Sequence, residues 1–286
     1  MTQHPELIAA IETATGSSVV RTNAVRGGDF AAAYRVEMSD GRSLFAKTHS
    51  SPPPGFFTTE ATGLEWLRAA QAVHVPRVID VRDATPAMLL LDWIDIGRPR
   101  GSTDAEFGRA LAAMHNAGAP SFGREDRRTT GSRALPNDPC ATWSEFYATR
   151  RLLPLARLAR QSGSLAPTAI SALVRLADNL SPFDDGEPPS RLHGDLWAGN
   201  RVIDVDGRSW LIDPAAHGGH REFDLAMMRL FGGFGADCFA AYEEVQPLRA
   251  GWRDRVSLHQ IAPLVVHAIK FGGHYVEAAT SAIERY

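Results

Sequence analysis

Apolar residues recur along this chain at two different periods, and the switch between them divides it. The opening MTQHPELIAAIETATG reads as a short amphipathic helix, with no basic leader and no signal-peptide core. Ser17–Val25 follows as a strand, Phe30–Glu37 alternates apolar and polar positions as a second, and Ser43–Lys47 supplies a third after the turn at Ser39-Asp40-Gly41. Gly27-Gly28 falls in the first turn of this predicted antiparallel meander. The prolines of SPPPGF enforce a loop. Beyond it, Thr58 or Thr59 is placed to cap a helix through Glu60, Leu64 and Leu67, whose spacing stacks them on related faces. Pro76 ends that element, and strands are predicted over 77–81 and 87–93.

Past 97–102 the period becomes helical. Phe107, Leu111 and Met114 mark a helix over 104–116, and further helices are predicted over 143–160, 167–180 and most of the chain after 214. Residues 121–139, rich in Gly, Arg and Pro, show no period and are expected as a long loop with a solvated arginine face (Arg124, Arg127, Arg128, Arg133). The segment 191–214 reads as loop and short strands. The pattern therefore predicts an α+β chain of two domains: a small antiparallel-sheet domain with one main helix over 1–96, and a larger, mostly helical one over 97–286. Met227 and Met228 fall at core positions of a helix.

Composition narrows the function. The chain has 286 residues, and 30 Lys+Arg against 33 Asp+Glu give a net charge of −3, which disfavours a general nucleic-acid or anionic-membrane binder. No run approaches the apolar length of a membrane span. Cys140 and Cys238 are too few for a disulfide framework, so reduced thiols and a cytoplasmic location are expected. The histidines lack the close spacing of a structural zinc site.

The densest chemistry lies in Arg191-Leu192-His193-Gly194-Asp195-Leu196-Trp197-Ala198-Gly199-Asn200, followed by Leu211-Ile212-Asp213-Pro214. An aspartate, an asparagine five residues on and a second aspartate at a strand end make a set of hard oxygen donors of the kind magnesium takes. The spacing fits the phosphotransfer pattern H-x-D-L-x-x-x-N followed by a metal-binding aspartate. In that pattern Asp195 accepts the hydroxyl proton, while Asn200 and Asp213 hold Mg2+ against the phosphates of ATP. His193 is expected to pin the loop. Upstream, Gly27 and Gly28 can present backbone N–H groups to phosphate, and Lys47, held by Glu60, supplies one positive charge. The turn is neither G-x-G-x-x-G nor a P-loop. Trp93 or its neighbour lies where a connector between the two domains would meet adenine, and a core or interface tryptophan is the alternative reading.

These motifs, together with Asp213-Pro214-Ala215, Gly219-His220-Arg221-Glu222-Phe223-Asp224 and Leu230-Phe231-Gly232-Gly233-Phe234, resemble the fructosamine kinase (ketosamine 3-kinase) family. That family belongs to the aminoglycoside-phosphotransferase and choline-kinase branch of the protein-kinase-like fold. The resemblance implies a two-lobed fold and ATP-dependent phosphorylation of a sugar hydroxyl in an amine-bearing ketosamine. It implies Asp195 as base, Asn200 and Asp213 as magnesium ligands, Lys47 with Glu60 at the phosphates, and Asp92, Trp93 and Ile94 at adenine. His220, Glu222 and Asp224 become candidates for contact with the cationic substrate. His220 stands where the family usually has an acid, and 123–133 departs from the family's asparagine- and glutamine-bearing stretch. Both departures bear on the substrate side. A kinase for aminoglycosides, choline or another amino alcohol, and a kinase-like binding protein without turnover, are the alternative readings.

Overall fold

The computed structural model describes residues 5–25, 31–126, 129–130 and 135–286. Gly27 and Gly28 lie outside the described residues, as do Arg127, Arg128 and Arg133. The chain divides into two compact units, Met1–Arg100 with Val202–Pro214, and Gly101–Arg201 with Ala215–Tyr286.

In the first unit α1 (Pro5–Thr15) precedes β1 (Val19–Val25), β2 (Ala32–Met38) and β3 (Ser43–Thr48); α2 (Phe56–Arg68), β4 (Val78–Arg82) and β5 (Met88–Asp92) follow. The strands form an antiparallel sheet in the order β1-β2-β3-β5-β4. Strand alternation splits its side chains between two faces. Val36, Met38, Leu44, Ala46, Met88 and Leu90 form a core with Leu7, Ala10 and Ile11 of α1. Arg35, Phe45, Lys47, Leu89 and Leu91 fall at the alternate positions, Arg35 directly across from Phe45 and Lys47 across from Leu89.

The start of α2 differs from expectation. The helix begins at Phe56, and no side chain of its own segment caps it. Asp83 does so from a distance: its carboxylate accepts from the backbone N–H of Phe57 (2.8 Å) and of Thr58 (3.4 Å), and from the Thr58 hydroxyl. A carboxylate at a helix N-terminus satisfies orphan donors and complements the helix dipole.

Residues 202–214 belong to the first unit, so the division is not one cut between 96 and 97. Gly97 N–H donates to Ile203 O (2.9 Å), Val205 N–H to Asp95 O (3.1 Å), and Leu211 N–H to His74 O (2.9 Å). These bonds tie the short strands Arg201–Ile203 and Ser209–Leu211 to the sheet unit. Strands this short carry no readable period.

The second unit is helical: α3 (Thr103–Asn116), α4 (Trp143–Phe146), α5 (Leu153–Ser162), α6 (Pro167–Asp178), α7 (Glu222–Phe231), α8 (Ala236–Val245), α9 (Trp252–Phe271) and α10 (His274–Ile283). The element predicted over 143–160 is continuous but passes through a π-helical turn at Tyr147–Leu152. The first residue of that turn, Tyr147, is inserted into the hydrogen-bond ladder of α9. Its hydroxyl donates to Leu258 O (2.7 Å) and accepts from Ala262 N–H (3.3 Å), just before Pro263, which has no N–H to give. Leu152, Leu155, Leu173, Leu258, Ile261, Val265 and Ile283 fill the core. Met227 and Met228 are buried as expected, and Cys140 and Cys238 are buried free thiols.

Within 121–139, the pairs Thr129–Thr130 and Leu135–Pro136 form a small antiparallel ladder. Arg124 is buried rather than solvated, and its guanidinium is held by Asp126 at 2.9 and 2.5 Å. Among the described residues no helix is long and apolar enough to cross a membrane.

Candidate active site

In the second unit the loop after the strand Ser190–Leu192 carries Asp195, and α7 holds that loop from beneath. Asp224, wholly buried, accepts from His193 N–H (2.7 Å) and Gly194 N–H (2.9 Å). Nε2 of His115 lies 3.2 Å from the same carboxylate, and Nδ1 of His115 lies 2.8 Å from the Tyr242 hydroxyl. Burial alone raises the pKa of a carboxyl. Here the hydrogen bond and charge of His115, with the field of His193 and the Gly194 N–H, outweigh it and hold Asp224 below the ordinary range.

The loop also fastens itself. His193 Nδ1 accepts from Asp195 N–H (3.2 Å), the pinning role expected of this histidine. Asn200 Nδ2 donates to Asp195 O (2.8 Å) and to Asp195 Oδ2 (3.1 Å), so the asparagine fixes the aspartate's orientation. Two glycines make this path possible. Gly194 has φ +79°, and a Cβ there would lie 2.2 Å from Ala215 O. At Gly199 a Cβ would meet the Trp197 ring at 2.2 Å, so the indole folds over a position that must be bare.

The first unit gathers three of the expected residues. Lys47 of β3, 9% exposed, donates to Glu60 of α2 at 2.7 Å and also to Asp213. Burial disfavours the charged ammonium, but the Glu60 and Asp213 carboxylates outweigh it and raise the Lys47 pKa. Glu60 is also shifted upward, by burial first and, against the pull of Lys47, by the charge of Asp213. One cation thus serves two acids. Asp213 has φ +52°, a left-handed conformation uncommon outside glycine, immediately before Pro214. Such a backbone persists where surrounding structure enforces it, and it is found disproportionately at functional sites.

Of the connector residues, Trp93 contacts Phe45 (ring centroids 6.3 Å apart) and the Arg35 guanidinium, while its Nε1 donates to Asp95 (3.0 Å). Asp92 is engaged by Arg77 at 3.2 and 3.3 Å, and Ile94 is half-buried.

His220, Glu222 and Asp224, the candidates for substrate contact, are 2%, 1% and 0% exposed, and protein groups engage all three. Arg255 donates to both Glu222 oxygens (2.9 and 2.5 Å), and His220 Nε2 lies 3.2 Å from Asp185. Burial opposes ionisation of Glu222, yet His259 and Arg255 hold its pKa down to about 2. His220, Glu222 and His259 bring donor atoms within 4.8 Å of one another, a set able to hold a metal ion. Sequence spacing could not reveal it, because His259 lies on α9. Two imidazoles and a carboxylate suit a borderline transition metal rather than magnesium, which prefers oxygen.

A loop-borne aspartate oriented by an asparagine, together with a strand lysine held by a helix glutamate, defines the kinase-like class of phosphotransferase folds. Comparison with known proteins agrees. The fructosamine kinase family model matches residues 1–286. The "Probable ketoamine kinase" of Lactiplantibacillus plantarum is 34% identical over 275 residues, covering 94% of this chain and 95% of that one. The chloroplastic protein-ribulosamine 3-kinase of Arabidopsis thaliana is 34% identical over 281 residues, covering 94% and 83%. A solved structure of a fructosamine-3-kinase-like protein from Thermobifida fusca superposes with a TM-score of 0.90 at 40% identity, covering 97% of each chain. The chain belongs to the fructosamine kinase family, with one antiparallel-sheet unit and one helical unit, the fold class of the protein-kinase-like proteins.

Magnesium, implied by that fold, is compatible with the donors present. Asp213 offers a carboxylate. Asn200 has committed its amide nitrogen to Asp195, so its carbonyl oxygen is the atom it can offer a cation.

Proposed function

We propose that this protein transfers the γ-phosphate of ATP to a sugar hydroxyl of a ketosamine of the fructosamine or ribulosamine type. The observation that carries the reading is the Asp195 loop, a carboxylate oriented by Asn200 and anchored through Asp224 on a buried base. Asp195 takes the proton of the attacking hydroxyl as the oxygen–phosphorus bond forms, and ADP leaves with the bridging oxygen. The work of such a site is alignment and charge stabilisation more than proton removal.

Lys47 holds the phosphates, released by ATP binding from part of its double ion pair, while Glu60 keeps its ammonium in place. Asn200 and Asp213 hold magnesium, which neutralises charge on the phosphates when bound. Gly27 and Gly28 contribute backbone N–H groups, and Asp92, Trp93 and Ile94 border the adenine. The names of the relatives support a ketoamine acceptor. His220, Glu222 and Asp224 serve as the buried framework behind the site, Asp224 holding the base's loop directly.

An ADP-release assay over ketosamines, free sugars, choline and aminoglycosides tests the assignment. Stimulation by ketosamines above the other classes is expected. Preference for choline or an aminoglycoside would move the protein to the amino-alcohol branch, and stimulation by none would leave a binding protein.

A further inference from the structure

The start of α7 and the middle of α9 enclose a polar cluster that the phosphate chemistry does not use. His220 stands just before α7, Glu222 is its first residue, and His259 lies on α9. All three are buried, and their donor atoms lie within 4.8 Å of one another. Trp143 packs against both imidazoles, its ring centroid 5.6 Å from that of His220 and 5.1 Å from that of His259.

His259 is the unexplained member. Neither of its ring nitrogens has a hydrogen-bond partner among the described residues, although the side chain is wholly buried. Leaving a buried N–H and a buried lone pair unpaired is costly, and native structures rarely do so without a use. Its Nε2 nevertheless lies 3.4 Å from Glu222 Oε2. Two ligands held about 2.1 Å from one ion at tetrahedral angles stand about 3.4 Å apart, so this pair already has the edge of a zinc-type site.

The other two residues carry the outer partners that metal ligands commonly have. His220 Nε2 lies 3.2 Å from Asp185, which can take the N–H of a ring that ligates through its other nitrogen. That nitrogen, Nδ1, accepts from Glu222 N–H at 3.3 Å, a long contact. Arg255 donates to both Glu222 oxygens (2.9 and 2.5 Å) and to Asp185 (3.2 Å). Each carboxylate oxygen keeps a further lone pair for a cation. Asp185 and Glu222 together carry two negative charges and share the single guanidinium of Arg255. A small cavity bordered by Trp143, Tyr147 and His220 leaves space on that side for a water, the common fourth partner where a protein supplies three ligands.

We propose that His220, Glu222 and His259 bind one borderline divalent ion of the zinc class, which fastens the start of α7 to α9. The site uses neither of the magnesium donors, Asn200 and Asp213, and its imidazoles select against magnesium. Glu222 shares α7 with Asp224, so the ion steadies the helix that grips the Asp195 loop.

Calorimetric titration of ZnCl2 and of MgCl2 into chelator-treated protein, with metal analysis after dialysis, tests the site in the wild type, His259→Phe and Asp185→Asn. The wild type should retain one zinc per chain and show no such site for magnesium. His259→Phe should lose that zinc, and Asp185→Asn should bind it roughly 10- to 100-fold more weakly. No retained zinc in the wild type overturns the proposal, as does zinc affinity in His259→Phe within twofold of wild type. Should the variants fail to fold, an anomalous difference map from zinc-soaked wild-type crystals decides: a peak bonded to His220, Glu222 and His259 is expected, and no peak there overturns the site. A peak without zinc retention in solution is binding at crystal concentration only, and overturns it too.

Discussion

The Lys47 ammonium is shared between two carboxylates, Glu60 at 2.7 Å and Asp213, so this cluster carries one more negative than positive charge when all three are ionised. Removing the cation leaves two adjacent, largely buried acids facing each other. Lys47→Met should lower kcat/KM by roughly 10²- to 10³-fold, the size of loss that follows removal of one charge stabiliser. Glu60→Gln should cost less, because Asp213 still holds the ammonium. Steady-state kinetics with ATP varied check the order. Equal, near-wild-type activity in both variants would contradict the assignment.

Asp195→Asn keeps the side chain's size and its contact with Asn200 but removes the proton acceptor. Turnover should fall roughly 10²- to 10⁴-fold, with the ADP dissociation constant within about threefold of wild type. Rapid-quench turnover and calorimetry separate the two. Retained turnover would displace Asp195 from the role of base.

Asp224 acts on Asp195 through the backbone, since it grips His193 N–H at 2.7 Å and Gly194 N–H at 2.9 Å. Asp224→Ala orphans these donors and His115 within a dry interior. A stability loss of about 3–5 kcal/mol is expected, read from denaturant midpoints. Gly194→Ala approaches the same loop differently, through positive φ and collision with Ala215 O. It should lower kcat more than it raises the KM for ATP. A kcat unchanged by Gly194→Ala would show that the loop's path is not what sets the geometry of Asp195.

His217 supplies a pH dependence. Burial, helped by the positive charge of Arg151, pushes its pKa down to about 3 from the ordinary 6.5, while Nδ1–H donates to Ala215 O (2.8 Å). The folded chain therefore keeps this ring neutral where the unfolded chain protonates it. With more protons bound by the unfolded state, stability must fall as pH drops from about 6.5 toward 3. Denaturant midpoints should decline across that window, and His217→Gln should decline less steeply. Parallel curves for the two proteins would contradict the burial argument.

The parts of the site legible in the sequence were those where function sits on contiguous residues. His193 through Asn200 form one loop, so their spacing carries their geometry. Lys47 and Glu60 were legible by order, strand then helix. The conformation of Asp213 was not, because a left-handed φ at a non-glycine residue is imposed by its surroundings. Nor was the capping of α2 by Asp83, a long-range choice over the nearer Thr58 and Thr59. His220 and Glu222 read as candidates for substrate contact, yet Asp185, Arg255 and His259 enclose them from distant segments. The strands Ser190–Leu192 and His217–Gly219 pair without a hydrophobic period to announce them.

The central claim is phosphoryl transfer from ATP to a ketosamine hydroxyl, and phosphorus NMR of the protein with MgATP and a fructosamine or ribulosamine reads it directly. A sugar phosphate monoester signal should grow one-for-one with ADP and be absent with Asp195→Asn. ATP decay to inorganic phosphate alone, or an ester that forms as readily with Asp195→Asn, would contradict the account.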